Sequence, residues 1–290
     1  MIDISSTLPA RVGVLGGGRM GAGIAHAFLL HGCDVVVIER DDETATAALE
    51  RVRAMVLSSA TRAPSTVDVW ETCGQVQVST DIGAFTDRQL VVEAVPEQFD
   101  LKTDALRRVE SVIDRRAALA TNTSSLSITA LASCLDHPDR FIGLHFFNPV
   151  PASALVEIVV APKTSRPLRT ASAEWVRRLD KTPVVVSDTP GFASSRLGVA
   201  IALEAMRMLE DGVASAEDID LAMQLGYKHP SGPLKTTDIV GLDVRLGIAE
   251  YLEQTLGERF APPRILRDKV AAGELGRKAG KGFYDWSSPS

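Results

Sequence analysis

The sequence predicts an α/β domain, residues 1–187, followed by an all-helical domain, residues 188–290. The first observation is a glycine-rich turn between a short apolar strand and a run of small residues typical of a packed helix. The second is an alternation of strand-like and helix-like segments that continues to residue 187. The third is the punctuating segment 188–191, after which every periodic segment has helical spacing. A chain of 290 residues is long enough for two domains.

The glycine-rich turn is Gly16-Gly17-Gly18-Arg19-Met20-Gly21, placed between a strand at 11–15 and a helix at 22–31. A second strand at 34–38 ends at Glu39. In this pattern the first glycine permits the tight turn, the second admits a pyrophosphate and the third lets the helix pack on the strand. Glu39 is placed to accept hydrogen bonds from a ribose diol, and its charge disfavours a 2′-phosphate. We therefore expect a Rossmann-type domain that binds NAD; the alternative is a turn with a purely structural role.

Further strands of the first domain are expected at 75–79, 89–95, 117–121, 141–147, 155–160 and 182–187. Helices are expected at 41–60, 99–113 and 164–180, and a further helix ends near residue 135. Residues 63–74 are compatible with either a short helix or a loop. Glu93 interrupts an apolar strand, which is typical of a position near the ligand-binding end of a parallel strand. Ser124 and Ser125 follow another strand, where they are either helix caps or ligand contacts. In the second domain, helices are expected at 192–211, 216–225, 234–256 and 262–272.

His145 and Glu157 lie in the apolar segments 141–147 and 155–160. A buried carboxylate is costly without a partner, so we expect Glu157 to pair with the imidazole. A paired carboxylate fixes the imidazole tautomer and stabilises the imidazolium that forms on proton uptake. Oxidation of an alcohol by NAD requires such a base, because the O–H proton leaves as hydride leaves the same carbon. The alternative is a histidine of the core.

Composition excludes several classes of function. A net charge of −6 argues against broad electrostatic binding to nucleic acid. Cys33, Cys73 and Cys134 form neither a metal-binding spacing nor a disulfide framework, so we expect no metal and a reducing, cytoplasmic location. No apolar run approaches the ~20 residues of a membrane span, and no secretory signal is evident at the N-terminus.

The chain resembles the 3-hydroxyacyl-CoA dehydrogenase family, which includes bacterial 3-hydroxybutyryl-CoA dehydrogenases. The resemblance covers nearly the whole chain and rests on many motifs in the same order. They are VGVLGGGRMGAGIA (12–25), VVEAVPE (91–97), TNTSSLSIT (121–129), FIGLHFFNPVP (141–151), LVEIV (155–159), DTPGF (188–192), HPSGPL (229–234), DIVGLD (238–243) and GRKAGKGFYDW (276–286).

The resemblance implies an NAD-binding domain of Rossmann type and a helical domain that usually forms a homodimer. It implies that His145 is the general acid/base, that Glu157 orients it, and that Ser124 contacts the substrate. It also implies cofactor contacts for Glu39, for the turn residues, and for Glu97, Lys102 and Lys278. The alternatives are a helix-end charge pair for Glu97 and Lys102, and a solvated surface lysine for Lys278.

The chain departs from the family pattern at positions expected to hold substrate and in a segment that helps to shape the dimer and the cleft. Ser195 stands where the family usually has an asparagine that helps to hold the substrate oxygen, and Ser231 and Lys235 replace a common Met and Glu. The coenzyme A hairpin is short here, with Arg62 in the approximate register of its lysine and Met55 in that of its serine.

From the residues and the resemblance together, we expect an NAD-dependent L-3-hydroxyacyl-CoA dehydrogenase whose physiological direction is open. The short coenzyme A hairpin leaves room for one alternative, a hydroxyacyl-acyl-carrier-protein dehydrogenase of polyketide extender-unit biosynthesis. Another alternative is a non-catalytic NAD(H)-binding structural protein, against which the intact pair of His145 and Glu157 argues.

Overall fold

The computed structural model describes residues 6–62 and 68–287. The chain divides into two compact units, Met1–Asp188 and Thr189–Ser290. The first unit is built on one eight-stranded sheet with the order β3-β2-β1-β4-β5-β6-β7-β8. Its strands are β1 Arg11–Leu15, β2 Asp34–Ile38, β3 Val76–Ser79, β4 Leu90–Glu93, β5 Ala118–Thr121, β6 Phe141–Phe146, β7 Leu155–Val160 and β8 Thr182–Ser187.

Strands β1 to β6 are mutually parallel, so their carboxyl ends meet at one edge of the sheet. Strand β7 is antiparallel to β6, and β8 is parallel to β7. The order reverses at β1, which lies between β2 and β4, and ligands of open α/β sheets bind beside such a reversal. The central strands are buried and rich in Val, Ile, Leu and Ala, as expected where helices cover both faces of a parallel sheet.

The helices of the first unit are α1 Arg19–Leu29, α2 Asp42–Arg62, α3 Val69–Gly74, α4 Phe99–Val112, α5 Ile128–Ala132 and α6 Arg166–Arg178. For residues 63–74 the sequence is compatible with either a short helix or a loop. In the structure residues 69–74 are helical, and residues 63–67 lie outside the described residues. Ser127 caps α5 by accepting a hydrogen bond from the Ala130 N–H. The capping interpretation of Ser124 and Ser125 is therefore wrong, because the helix begins after a different serine.

The second unit contains α7 Ser194–Glu210, α8 Ala216–Tyr227, α9 Pro233–Val240, α10 Leu242–Leu256 and α11 Arg264–Ala271. The single helical segment expected at 234–256 is two helices, because Gly241 lies between them with φ +109°. The core is an apolar cluster from α7 to α11 that includes Leu203, Met206 and Leu252. An α/β sheet domain followed by a helical domain is the fold class that the sequence predicts, and it is confirmed.

Two buried carboxylates hold the C-terminal segment onto the second unit. Asp238 accepts hydrogen bonds from the backbone N–H groups of Phe283 and Tyr284, both at 2.9 Å, and from the Trp286 indole N–H at 2.8 Å. Asp220 accepts the Tyr284 hydroxyl at 2.8 Å. The C-terminal motif therefore has a structural role, because its N–H and O–H groups donate hydrogen bonds to carboxylates that would be costly to bury alone. None of the helices in the described part of the chain is long and apolar enough to cross a membrane.

Candidate active site

The glycine-rich turn follows β1 directly. Gly16 has φ +93°, a conformation that side chains other than glycine rarely adopt, and its N–H donates to the Ile38 carbonyl at 2.8 Å. A Cβ on Gly21 would overlap the Gly16 carbonyl oxygen, so the start of α1 packs on the turn only because Gly21 lacks a side chain. A Cβ on Gly18 would have no described atom within 4 Å. The backbone at Gly18 is therefore open to a ligand.

This turn fits the pyrophosphate of a dinucleotide. Helix α1 begins after Gly18 without a side-chain cap and without an acidic residue in its first turn. The N-terminal N–H groups and the helix dipole can therefore act on an anion. Arg19 is exposed at the first position of α1, and Met20 packs partly against the core.

Glu39, directly after β2, has a carboxylate next to the turn. Its Oε1 accepts the Gly17 N–H at 2.6 Å. On the other side of the same residue, Arg51 of α2 donates to the Gly17 carbonyl at 3.0 Å. Both polar groups of the Gly17 backbone are thereby fixed. The sequence did not indicate Arg51, because helical periodicity shows only that it lies on an exposed face of α2.

Glu93 and Lys102 form a buried ion pair at the end of β4. Lys102 Nζ lies 2.8 Å from Glu93 Oε1 and 3.1 Å from the Val95 carbonyl oxygen. Thr121 donates to Glu93 Oε2 at 2.6 Å. Burial raises the pKa of Glu93, and the Lys102 ammonium opposes that shift. Lys102 is 1% exposed, so its charge acts chiefly within the protein, and its contact with the cofactor stays a prediction.

Glu97 joins the loop after β4 to the loop after β5. Its Oε1 accepts the Thr123 hydroxyl at 2.6 Å, the Ser124 N–H at 2.8 Å and the Ser125 N–H at 3.1 Å. Its Oε2 lies 3.5 Å from Lys102 Nζ. Glu97 and Lys102 therefore form the charge pair that is the alternative to a direct cofactor contact. The structure therefore brings Glu97 and Ser124 together at the sheet edge that carries the glycine turn.

His145 and Glu157 are directly opposite each other in the antiparallel register of β6 and β7. His145 Nδ1 lies 2.9 Å from Glu157 Oε2, and the two residues are 4% and 1% exposed. Because an ionised carboxylate can only accept, Nδ1 donates the hydrogen and the lone pair resides on Nε2. The Phe147 ring packs against the imidazole with a centroid distance of 4.4 Å. The contact between the two side chains, which spacing alone only suggested, is present.

Asn122, which the sequence analysis did not single out, supports the histidine. Its Oδ1 accepts the Phe146 N–H at 2.8 Å and so ties the end of β5 to the end of β6. The signal available in the sequence was a polar residue directly after a buried strand. The same feature describes many turns, so it does not identify this contact.

Arg62 ends α2 and lines a groove of about 290 Å³ with Arg51, Ala54, Met55, Ser58 and Pro151. Its guanidinium donates to the Ser58 hydroxyl at 2.8 Å. In the second unit, Ser195 lies in the first turn of α7, and Lys278 Nζ lies 2.6 Å from Asp243 Oδ2. The described contacts of Lys278 thus include a carboxylate of its own unit.

Two family models cover almost the whole chain. Residues 11–189 match the NAD binding domain of 3-hydroxyacyl-CoA dehydrogenase, and residues 191–286 match its C-terminal domain. The chain belongs to the 3-hydroxyacyl-CoA dehydrogenase family. Membership confirms the predicted cofactor, NAD, and the predicted class of enzyme, an oxidoreductase.

Three relatives in this family are similar to the chain over nearly their whole length. A probable 3-hydroxybutyryl-CoA dehydrogenase of Deinococcus radiodurans is 40% identical, with 95% of this chain and 100% of the relative covered. The 3-hydroxybutyryl-CoA dehydrogenase of Mycobacterium tuberculosis is 39% identical, with coverage of 95% and 98%. The solved structure of (S)-3-hydroxybutyryl-CoA dehydrogenase from Ralstonia eutropha is 36% identical, with a TM-score of 0.92 and coverage of 97% and 100%.

Proposed function

We propose that this 3-hydroxyacyl-CoA dehydrogenase family member interconverts an L-3-hydroxyacyl thioester and the 3-oxoacyl thioester with NAD. The observation that carries the proposal is the buried pair of His145 on β6 and Glu157 on β7, where β6 is parallel to β5 and ends at the same sheet edge as the other site loops. Relatives at 36–40% identity are named 3-hydroxybutyryl-CoA dehydrogenases, which supports a short acyl chain on coenzyme A.

His145 is the proposed general acid/base. In the oxidising direction Nε2 takes the proton of the substrate hydroxyl, and in the reducing direction it returns that proton to the 3-oxo oxygen. Glu157 stabilises the imidazolium that exists between these events and keeps the proton of Nδ1 in place. Because both side chains are almost fully buried, water screens their attraction only weakly.

When bound, NAD supplies the hydride acceptor, and NADH the hydride donor, for the carbon that bears the oxygen. Gly16 to Gly21 and the N-terminus of α1 are proposed to hold the pyrophosphate, and Glu39 the adenosine ribose. Glu97 positions the loop of Ser124, and Lys102 acts through Glu97 and Glu93. Ser124 and Ser195 are proposed to hold the substrate oxygen. Lys278 is proposed to contact the cofactor as its family counterpart does.

The groove on α2 is proposed to receive part of the thioester carrier. Its lining includes three apolar residues, Ala54, Met55 and Pro151, and two arginines, Arg51 and Arg62. A lining with apolar and guanidinium groups suits the pantetheine chain and a phosphate. Phosphopantetheine is common to coenzyme A and acyl carrier protein. Arg51 and Arg62 are therefore compatible with either carrier. Coenzyme A is favoured because the relatives are named 3-hydroxybutyryl-CoA dehydrogenases.

We further infer a homodimer and a cytoplasmic location. The second unit exposes large apolar side chains on four helices, among them Leu197 (64%), Leu225 (68%) and Tyr227 (75%). Such a set of exposed apolar residues indicates a protein partner, and symmetric pairing is the commonest solution. Light scattering of the purified protein tests the dimer. The cysteines Cys33, Cys73 and Cys134 are free thiols, which is compatible with a reducing compartment.

NADH absorbance with acetoacetyl-CoA tests the activity, and the same acyl group on an acyl carrier protein tests the carrier. We expect turnover of the coenzyme A thioester, and a loss of about 10²–10⁴-fold in kcat for His145→Ala with little change in NADH affinity. Near-normal turnover of His145→Ala would refute the assignment of the base. Tight NADH binding without turnover of any hydroxyacyl or oxoacyl thioester would favour a non-catalytic protein.

A further inference from the structure

Arg245 occupies a core position of helix α10. The buried residues of this helix are Leu242, Arg245, Ala249 and Leu252, a spacing that places all of them on one helix face. The three neighbours of Arg245 on that face are apolar and fully buried, and they belong to the apolar cluster of the second unit. The guanidinium of Arg245 therefore occupies a position where the helical pattern predicts an apolar side chain.

The Arg245 guanidinium has no counter-charge among the residues that the structure describes. Arg245 is 9% exposed, and in the described residues its Nε has no hydrogen-bond partner. Among these residues no carboxylate forms an ion pair with it, and burial alone lowers its pKa to about 10. Buried arginines are normally paired, because removing a charge from water without compensation is strongly unfavourable. An anion beside the guanidinium would supply the missing compensation.

Helix α7 supplies the other side of the site. A Cβ built on Gly198 would lie 3.4 Å from one terminal nitrogen of Arg245 and 3.9 Å from the other, so the guanidinium faces the one residue of this turn that lacks a side chain. Gly198 is three residues after Ser195, and residues at that spacing are neighbours on a helix surface. Ser195 is the proposed substrate contact. The guanidinium is therefore close to one of the positions where this chain departs from the family pattern.

We propose that Arg245 binds a carboxylate carried by the acyl chain of the substrate, so that the preferred thioester is that of a dicarboxylic acid. The inference rests on the proposed function for the thioester and adds the class of acyl group. The guanidinium lies at ordinary contact distance from Gly198, with no side chain between them, and a carboxylate is the planar anion that a guanidinium binds with two parallel hydrogen bonds. Ser195 remains the contact for the oxygen at the reacting carbon.

The test compares 3-oxoadipyl-CoA with 3-oxohexanoyl-CoA, thioesters of equal chain length that differ in the terminal carboxylate. With NADH, we expect the unaltered protein to favour 3-oxoadipyl-CoA by at least about 10-fold in kcat/KM, which is the range of a hydrogen bond to a charged group. Arg245→Met, of similar length and without charge, is expected to abolish that preference, so that the two thioesters have equal kcat/KM. Arg264→Met, on the exposed face of α11, is the matched control and should leave the ratio unchanged.

Binding is measured independently of turnover with adipyl-CoA and hexanoyl-CoA, which have no 3-oxo group to reduce. Calorimetry should show tighter binding of adipyl-CoA by the unaltered protein and equal binding of the two by Arg245→Met. If the protein reduces neither oxoacyl thioester but still prefers adipyl-CoA through Arg245, the proposed reaction fails and the carboxylate site stands. If reduction is normal and Arg245→Met leaves both preferences unchanged, the carboxylate site fails and the reaction stands.

Two further readouts separate the proposal from a structural role. Because the unpaired charge is buried, Arg245→Met should unfold at the same or a higher temperature, whereas loss of a structural contact would lower it. Light scattering of the same variant tests whether a carboxylate of a second copy is the counter-charge. A variant that dissociates while its substrate preference is unchanged would overturn the proposal and assign Arg245 to an interface.

Discussion

Replacement of Glu157 by glutamine removes one negative charge from the proposed proton-transfer pair and changes the shape of the site very little. Glu157 Oε2 lies 2.9 Å from His145 Nδ1, and at an effective dielectric constant of about 20 the attraction to an imidazolium is about 6 kcal/mol. The glutamine amide oxygen can still accept the Nδ1 hydrogen, which retains about 1 kcal/mol. Since the imidazolium is only partly formed in the transition state, we expect a net loss of about 3–4 kcal/mol, or roughly 10²–10³-fold in kcat.

The assay is the oxidation of NADH by acetoacetyl-CoA at saturating cofactor, with NADH affinity measured by fluorescence titration as a control for folding. The affinity is expected to stay within about threefold, since Glu157 lies on β7, away from the glycine turn in the strand order. A double variant with His145→Ala should be no slower than His145→Ala alone, because the carboxylate acts only through the imidazole. A Glu157→Gln variant with near-normal kcat, or multiplicative losses in the double variant, would refute the proton-transfer pair.

Three further predictions concern the cofactor, the C-terminal segment and acid stability. In steady-state kinetics, Glu39→Ala should raise KM for NADH about 10-fold and reduce the ratio of kcat/KM for NADH to that for NADPH. Unchanged values for both cofactors would contradict the proposed contact of Glu39 with the ribose. Asp238→Asn should lower the free energy of unfolding, measured in urea, by about 2–3 kcal/mol, because the new amide nitrogen would face N–H donors. The control Asp268→Asn, on the exposed face of α11, should change that free energy by less than about 0.5 kcal/mol. Burial, with smaller effects of nearby cations, lowers the pKa of His26 to about 4, so this histidine stays neutral in the folded protein while the unfolded histidine protonates below pH 6.5. The free energy of unfolding should therefore fall by about 3 kcal/mol between pH 6.5 and pH 4. Urea denaturation of His26→Leu should show a shallower fall over the same pH range.

Local pattern was sufficient for the dinucleotide unit. The strands around Gly16 to Gly21 are short and apolar, the helix begins at the turn, and Glu39 ends the second strand, so all the interacting groups are close in sequence. The sequence also indicated that His145 and Glu157 belong together, because each is a polar residue in an apolar strand and a short connection joins the strands. Their catalytic role came from resemblance and stays a proposal.

Contacts between residues far apart in the sequence required the tertiary structure. Glu97 was expected as a cofactor contact, and the fold shows it holding the loop of Ser124 and Ser125. The helix expected at 234–256 is divided, because a positive φ at Gly241 depends on packing that periodicity does not report. Asp238 and its donors are about 45 residues apart in the chain, beyond any local signal.

The sequence by itself determined the fold class, the nature of the cofactor site and the pair of strands that carry the histidine. These features follow from hydrophobic periodicity and from glycine conformations, which are properties of neighbouring residues. Only the tertiary structure decided which charges are compensated. Lys102 pairs with Glu93 in the core, whereas Arg245 lies against the bare backbone of Gly198. In the sequence both are basic residues of a helical segment. Burial makes the difference, since a charge requires a partner only where water cannot solvate it.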